Sequence, residues 1–146
     1  MVGSPDCKVM NKTYELKLKS HLGEVRRVER FVKKMAAEQG FAESRLHDIM
    51  LVITEATNNA ILHGNKLNGN KLAWLRCQIC GDELYVEVQD EGEGFDPTAL
   101  PNPLDEENLL KPSGRGVFLM KQLAEDVHYE FSDKGTTVRF RIRFKT

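Results

Sequence analysis

Hydrophobic positions along this chain follow two periods, and the switches between them predict its elements. From Thr13 to Lys19, Tyr14, Leu16 and Leu18 alternate with polar neighbours, the period of a half-buried strand. From Leu22 to Gln39 the period lengthens: Leu22, Val25, Val28, Val32, Met35 and Ala36 recur at helical spacing, and Gly40 supplies the stop. A second helix is predicted over 44–62, closed by His63-Gly64-Asn65. Strands over 72–79 and 83–90 meet at Gly81-Asp82, a hairpin turn. Helix resumes over 116–125 with Val117, Met120, Leu123 and Ala124 inward, and strands over 127–131 and 136–144 follow. In the last strand Val138, Phe140, Ile142 and Phe144 alternate with Arg139, Arg141 and Arg143. Such an arginine row has two readings, a phosphate-reading strip or the solvated face of a strand, and the second is the commoner.

Residues 92–116 show no period and hold four of the five prolines. An irregular stretch of that length in a compact domain is usually a lid or binding loop. The order β-α-α-β-β-lid-α-β-β groups helices and strands. It predicts an α+β two-layer sandwich, one mixed, mainly antiparallel sheet with helices on one face. At 146 residues the chain is expected to be a single domain, 1–146, with the lid over about 95–116.

Charge narrows the partners. Lys and Arg number 21 against 22 Asp and Glu, which argues against nucleic acid as a partner. No apolar run approaches the ~18 residues of a membrane span, and the N-terminal residues lack an apolar signal core. No membrane association and a cytoplasmic location are therefore expected. Cys7, Cys77 and Cys80 are an odd number without the further ligands a zinc site needs, so reduced thiols are expected.

Four short motifs carry candidate chemistry. Glu55, Asn59 and His63 recur every four residues on an otherwise apolar helix, one polar face among greasy neighbours. A carboxylate and a carboxamide one turn apart offer hard oxygens suited to Mg²⁺, although a structural polar pair has the same spacing. Asp90 ends a strand and is followed by Gly92 and Gly94, where backbone can approach a ligand closely; an ordinary turn looks the same, and a calcium loop lacks its ligand series. Gly114, Arg115 and Gly116 stand before a helix, where bare N–H groups and the helix dipole can seat phosphate. Gly135-Thr136-Thr137 opens the last strand.

In this order and spacing, the four motifs resemble the N box and three glycine boxes of the ATPase family of gyrase B, Hsp90, histidine kinases and MutL. The resemblance covers residues 10–145 and implies a Bergerat-type ATP-binding fold. Within that family TEATNNAILHGN, DEGEGFDP and SGRGVFLM are similar to the bacterial anti-sigma-factor serine kinases. The stretch before the second helix reads as too short for the dimerisation hairpin of a sensor kinase.

The resemblance implies roles residue by residue. Asp90 would accept a hydrogen bond from adenine, with Gly92 and Gly94 making room for the nucleotide. Asn59 would bind Mg²⁺, and Glu55 would act as general base toward a serine hydroxyl. Gly114, Arg115 and Gly116 would close over the phosphates, and Thr136 or Thr137 would reach adenine. His63 and Asn65 would support the site from behind, with helix capping the other reading for His63. The implied cofactors are ATP and Mg²⁺. The implied substrate is a STAS-domain anti-anti-sigma protein, and the other partner an RNA polymerase sigma factor, with the chain itself a homodimer. The alternatives are an ATP/ADP-dependent regulatory binding module, or a switch kinase acting on a phosphatase pathway without binding sigma factor.

Overall fold

A computed structural model describes residues 10–92 and 120–145. Five strands form one sheet: β1 (Met10–Lys19), β2 (Leu72–Cys80), β3 (Glu83–Asp90), β4 (Glu125–Ser132) and β5 (Gly135–Arg143). Their order across the sheet is β1-β2-β3-β5-β4, and every pairing is antiparallel, so the sheet is simpler than the mixed one expected. Two helices, α1 (Val25–Gln39) and α2 (Glu43–Asn59), connect β1 to β2.

Side-chain alternation decides which face the helices cover. Leu84, Val86 and Val88 of β3 and Val138, Phe140 and Ile142 of β5 all point to one side, and all are buried. Val28, Val32 and Met35 of α1, with Ile49, Val52, Ile53 and Ala56 of α2, complete the core. Each helix thus contributes an apolar arc at helical spacing, and each fully buried aliphatic side chain is worth about 1.5–3 kcal/mol.

The helical layer is tied down at two corners. Glu24, at the foot of α1, accepts hydrogen bonds at 2.8 Å from the Lys19 N–H and from the Arg27 guanidinium. Burial pushes its carboxyl up, but those two donors prevail and hold it below the usual carboxylate range. At the other end Gly40 closes α1 in the left-handed conformation, and Ala42 N–H donates to the Phe144 carbonyl at 2.9 Å. Phe41 packs on Phe144 with ring centroids 5.1 Å apart, fixing the start of α2 to the end of β5.

The expected elements recur with small shifts. The helix expected over 116–125 is described only from 120, is helical through 123, and yields to β4 at Glu125. Cys77 and Cys80 stand three apart in β2, an odd separation that sends them to opposite faces. Cys77 is a free thiol in the core, where burial pushes its pKa up, whereas Cys80 is disulfide-bonded. The reduced-thiol expectation holds for Cys77 and fails for Cys80, because only the inward residue is sealed in the core. Among the described residues no helix is long and apolar enough to cross a membrane.

Ile53 has no exposed surface and lies on α2 between the sheet and the polar flank of the helix. Truncation to alanine is expected to cost about 2–5 kcal/mol in urea unfolding. Arg143→Ala, on the exposed outer face, is expected to stay within about 0.5 kcal/mol of wild type.

Candidate functional site

The alternation that buries Leu84, Val86 and Val88 carries on to Asp90, so strand geometry itself delivers a carboxylate to the interior. Asp90 is only 5% exposed. Its Oδ1 accepts from the backbone N–H of Gly92 at 2.9 Å and of Thr136 at 3.0 Å. Among the described residues no hydrogen-bond donor reaches Oδ2. Burial pushes the Asp90 carboxyl above its ordinary range, against the opposing pull of the two amides and of the Lys71 cation.

Three glycines crowd this aspartate. A Cβ on Gly64 would stand 2.0 Å from Asp90 Oδ2, and one on Gly92 would stand 2.1 Å from the Gly64 carbonyl oxygen. Gly135, at φ +142°, would bring a Cβ to 2.2 Å from the Asp90 carbonyl oxygen. No side chain fits at any of the three. Gly92 therefore makes room for the chain after α2, and not only for a ligand.

That chain leaves α2 through a widened turn. Ala60–Gly64 is π-helical, and the N–H of Asn65 closes it by donating to the Ala60 carbonyl, five residues back, at 2.8 Å. The extra residue shifts everything after Asn59 out of the four-residue rhythm. Glu55 and Asn59 remain on one half-buried flank, beside the arc of Val52 and Ala56, while His63 is exposed. Asn59 Oδ1 is completely buried and accepts no hydrogen bond among the described residues. An acceptor left so costs about 1–3 kcal/mol. A hard divalent cation that keeps most of its waters suits such an oxygen, so Asn59 fits Mg²⁺.

Of the residues singled out from sequence, Asp90, Gly92 and Thr136 come together through direct hydrogen bonds, Thr136 by its backbone N–H. Thr137 does not join them. It pairs with Gln89 in the register and shares the outer face with Arg139, because neighbouring strand residues point oppositely. Gly94, Gly114, Arg115 and Gly116 lie outside the described residues. The arginine row is the solvated face: Arg139 pairs with Glu87 at 2.8 Å and Glu130 at 3.0 Å, and Arg141 with Glu83 at 2.8 Å and Asp126 at 2.7 Å. They line an open hollow of about 520 Å³ with their charges already matched. Sequence reasoning did not see that Gly64 touches Asp90. The signal was the His-Gly-Asn run, read as a helix stop with His63 and Asn65 behind the site, but with no role for Gly64 itself.

A buried acceptor at a strand end, crowded by glycine backbone, and a helix with an unsatisfied amide oxygen suit a small-molecule site in an α+β protein. The family described as histidine kinase-like ATPase domain matches residues 18–142, and the chain belongs to that family. It is 31% identical over 104 residues to Anti-sigma F factor of Clostridium perfringens, covering 69% of this chain and 74% of that protein. It is 28% identical over 113 residues to Serine-protein kinase RsbW of Bacillus subtilis, covering 71% of this chain and 68% of the relative. The solved RsbU and RsbW domains of a Mycobacterium tuberculosis protein share the fold, with a TM-score of 0.65 at 19% identity. That match covers 91% of this chain and 32% of the longer one.

A carboxyl raised above its unfolded pKa binds its proton more tightly in the native state. Its contribution to stability is greatest below the ordinary carboxylate range and is lost as pH rises through the raised value. Asp90→Asn keeps an acceptor for both amides and removes the buried charge. It is expected to unfold at higher urea than wild type at pH 7, the gap narrowing as pH falls; a lower midpoint at pH 7 would refute this account. Gly64→Ala, by contrast, drives a methyl into Asp90 and is expected to lose about 1–3 kcal/mol in the same assay.

Proposed function

We propose that this chain is an anti-sigma factor with serine-protein kinase activity. Its substrate is a STAS-domain anti-anti-sigma protein, and it works in the cytoplasm as a homodimer that captures an RNA polymerase sigma factor. Unphosphorylated antagonist releases the sigma factor, and phosphorylation of the antagonist restores capture. The observation that carries the nucleotide reading is the geometry of Asp90. One carboxylate oxygen accepts from two backbone amides, and the other, packed beside Gly64, accepts from no donor among the described residues. A ligand that brings an N–H donor, such as the amino group of adenine, completes it; guanine brings a carbonyl there and is repelled. The names of the relatives support the kinase and sigma-factor parts.

Asn59 stands five residues before Gly64, roughly 7 Å along a helix axis, so phosphates running from a base at Asp90 pass this flank. Mg²⁺ held by Asn59 would neutralise charge on those phosphates. Glu55, one turn further, takes the proton of the attacking serine hydroxyl. The serine oxygen bonds to the γ-phosphorus, the bond from that phosphorus to the β–γ bridging oxygen breaks, and ADP leaves. Such transfer requires mainly positioning and charge neutralisation, which one oriented carboxylate and a cation supply. Gly114, Arg115 and Gly116 are assigned to the phosphates on their sequence alone, and Thr136 to the base edge.

The test is incubation with labelled ATP, Mg²⁺ and a STAS-domain protein encoded beside it. Label on a serine of that protein is expected. Glu55→Gln should bind ATP within about threefold of wild type yet transfer at least about 100-fold more slowly. Asn59→Ala should weaken nucleotide binding in magnesium buffer and not in EDTA, read by calorimetry. Asp90→Asn should lose its preference for ATP over GTP. Tight ATP binding with no transfer to any STAS protein would replace the kinase with a nucleotide-dependent binding module.

A further inference from the structure

Asn65 follows the turn that presses Gly64 against Asp90, and only 1% of it is exposed. Its carboxamide reaches three separate parts of the chain. Nδ2 donates to Ser20 Oγ at 2.8 Å and to the Leu72 carbonyl at 2.9 Å, while Oδ1 accepts from the Glu91 N–H at 2.8 Å. Two neighbours extend the network. The Ser20 hydroxyl donates to the Lys71 carbonyl at 2.6 Å, and Glu91 Oε1 accepts from the Leu72 N–H at 2.7 Å. The segment after β1, the start of β2 and the residue after β3 are thus joined through one side chain.

The chemistry of the neighbours demands an amide. The Leu72 carbonyl can only accept and the Glu91 N–H can only donate, so the buried side chain between them must offer both functions. Aspartate would set an anionic oxygen against a carbonyl, and an apolar residue would strand both backbone groups. The position of the Glu91 bond matters most. Asn65 is the chain neighbour of Gly64, and Glu91 lies between Asp90 and Gly92. The bond between them therefore fastens the crowded contact in which Gly64 meets Asp90 and Gly92.

We propose that Asn65 is a positioning residue for the nucleotide: it sets the gap between the Gly64 turn and the Asp90–Gly92 step, and so the depth at which Asp90 meets a purine. This rests on the reading of Asp90 as the base acceptor. Ser20 is the control, because its hydroxyl belongs to the same network but, among the described residues, hydrogen-bonds to neither Gly64 nor Glu91.

The test is calorimetric titration of Mg·ATP into wild type, Asn65→Ala and Ser20→Ala, well below each unfolding midpoint, with phosphotransfer kinetics alongside. Asn65→Ala is expected to raise Kd and KM for ATP at least about tenfold. Its kcat at saturating ATP should stay within about threefold, and discrimination against GTP should fall. Ser20→Ala is expected to lower the unfolding midpoint while ATP affinity stays within about twofold. Should Asn65→Ala fail to fold, Asn65→Ser carries the same comparison. Wild-type affinity in the Asn65 variant, or equal weakening in the Ser20 variant, would overturn the proposal. Wild-type protein that binds no ATP would instead sink the reading of Asp90, and the proposal with it.

Discussion

A carboxylate kept out of water against bare backbone is the constraint on which the rest of this structure depends. Asp90 sits at the end of a central strand, and a central strand is where a charge is hardest to hydrate. The fold compensates locally, with two amide donors on one oxygen and a lysine nearby, yet burial still wins in the direction its pKa moves. Such an arrangement is unstable in the absence of close packing, because any looseness would admit water and dissolve the site. Packing of that closeness leaves no room for a Cβ on the three surrounding chain segments, and each presents a glycine. Gly64, Gly92 and Gly135 are thus explained as the condition for keeping Asp90 where it is.

The helix opposite carries a second cost of the same kind. α2 turns an apolar arc to the sheet and leaves Glu55 and Asn59 at its margin, where Asn59 Oδ1 is buried and unsatisfied. Beyond Asn59 the π-helical turn redirects the chain so that Gly64 approaches the sheet and Asn65 plugs into the strand ends. A regular helix would have held the four-residue period. The widened turn gives up that regularity and gains the contact with Asp90. Widened turns of this sort recur at functional sites for this reason: they aim a backbone segment that an ideal helix cannot.

Much of this was legible in the amino-acid order, and what was not has a physical cause. Periods of two and of three to four located every described strand and helix, because one face of each is buried in a single core. The alternation in β5 foretold an inward apolar row and an outward arginine row, and the arginines found acidic partners on β3 and β4. Asp90, Gly92 and Thr136 were marked by motif and converge in space. Thr137 was marked with them and turns away, since a motif written as consecutive letters ignores the pleat. Gly64 passed as part of a helix stop, Asn65 was marked only as support from behind the site, and Ser20 was not marked at all. Their roles depend on contacts spanning 26 to 45 residues of sequence, which no local pattern encodes. The disulfide at Cys80 was missed for the same reason.

The two costs, a buried charge in Asp90 and an orphaned oxygen in Asn59, differ in what relieves them. Asp90 wants a hydrogen-bond donor, and Asn59 wants a cation or a donor. A lone base satisfies the first and a lone cation the second. In the proposed function, a nucleotide carrying a divalent metal on its phosphates would satisfy both. Differential relief of this kind makes ligand binding a stabilising event by mass action, without any rearrangement of the sheet. The outer face, with its arginines already matched by carboxylates, has no comparable deficit. The asymmetry between paired arginines on the outer face and two deficient groups, Asp90 and Asn59, on the inner side is the physical argument behind the proposed nucleotide site.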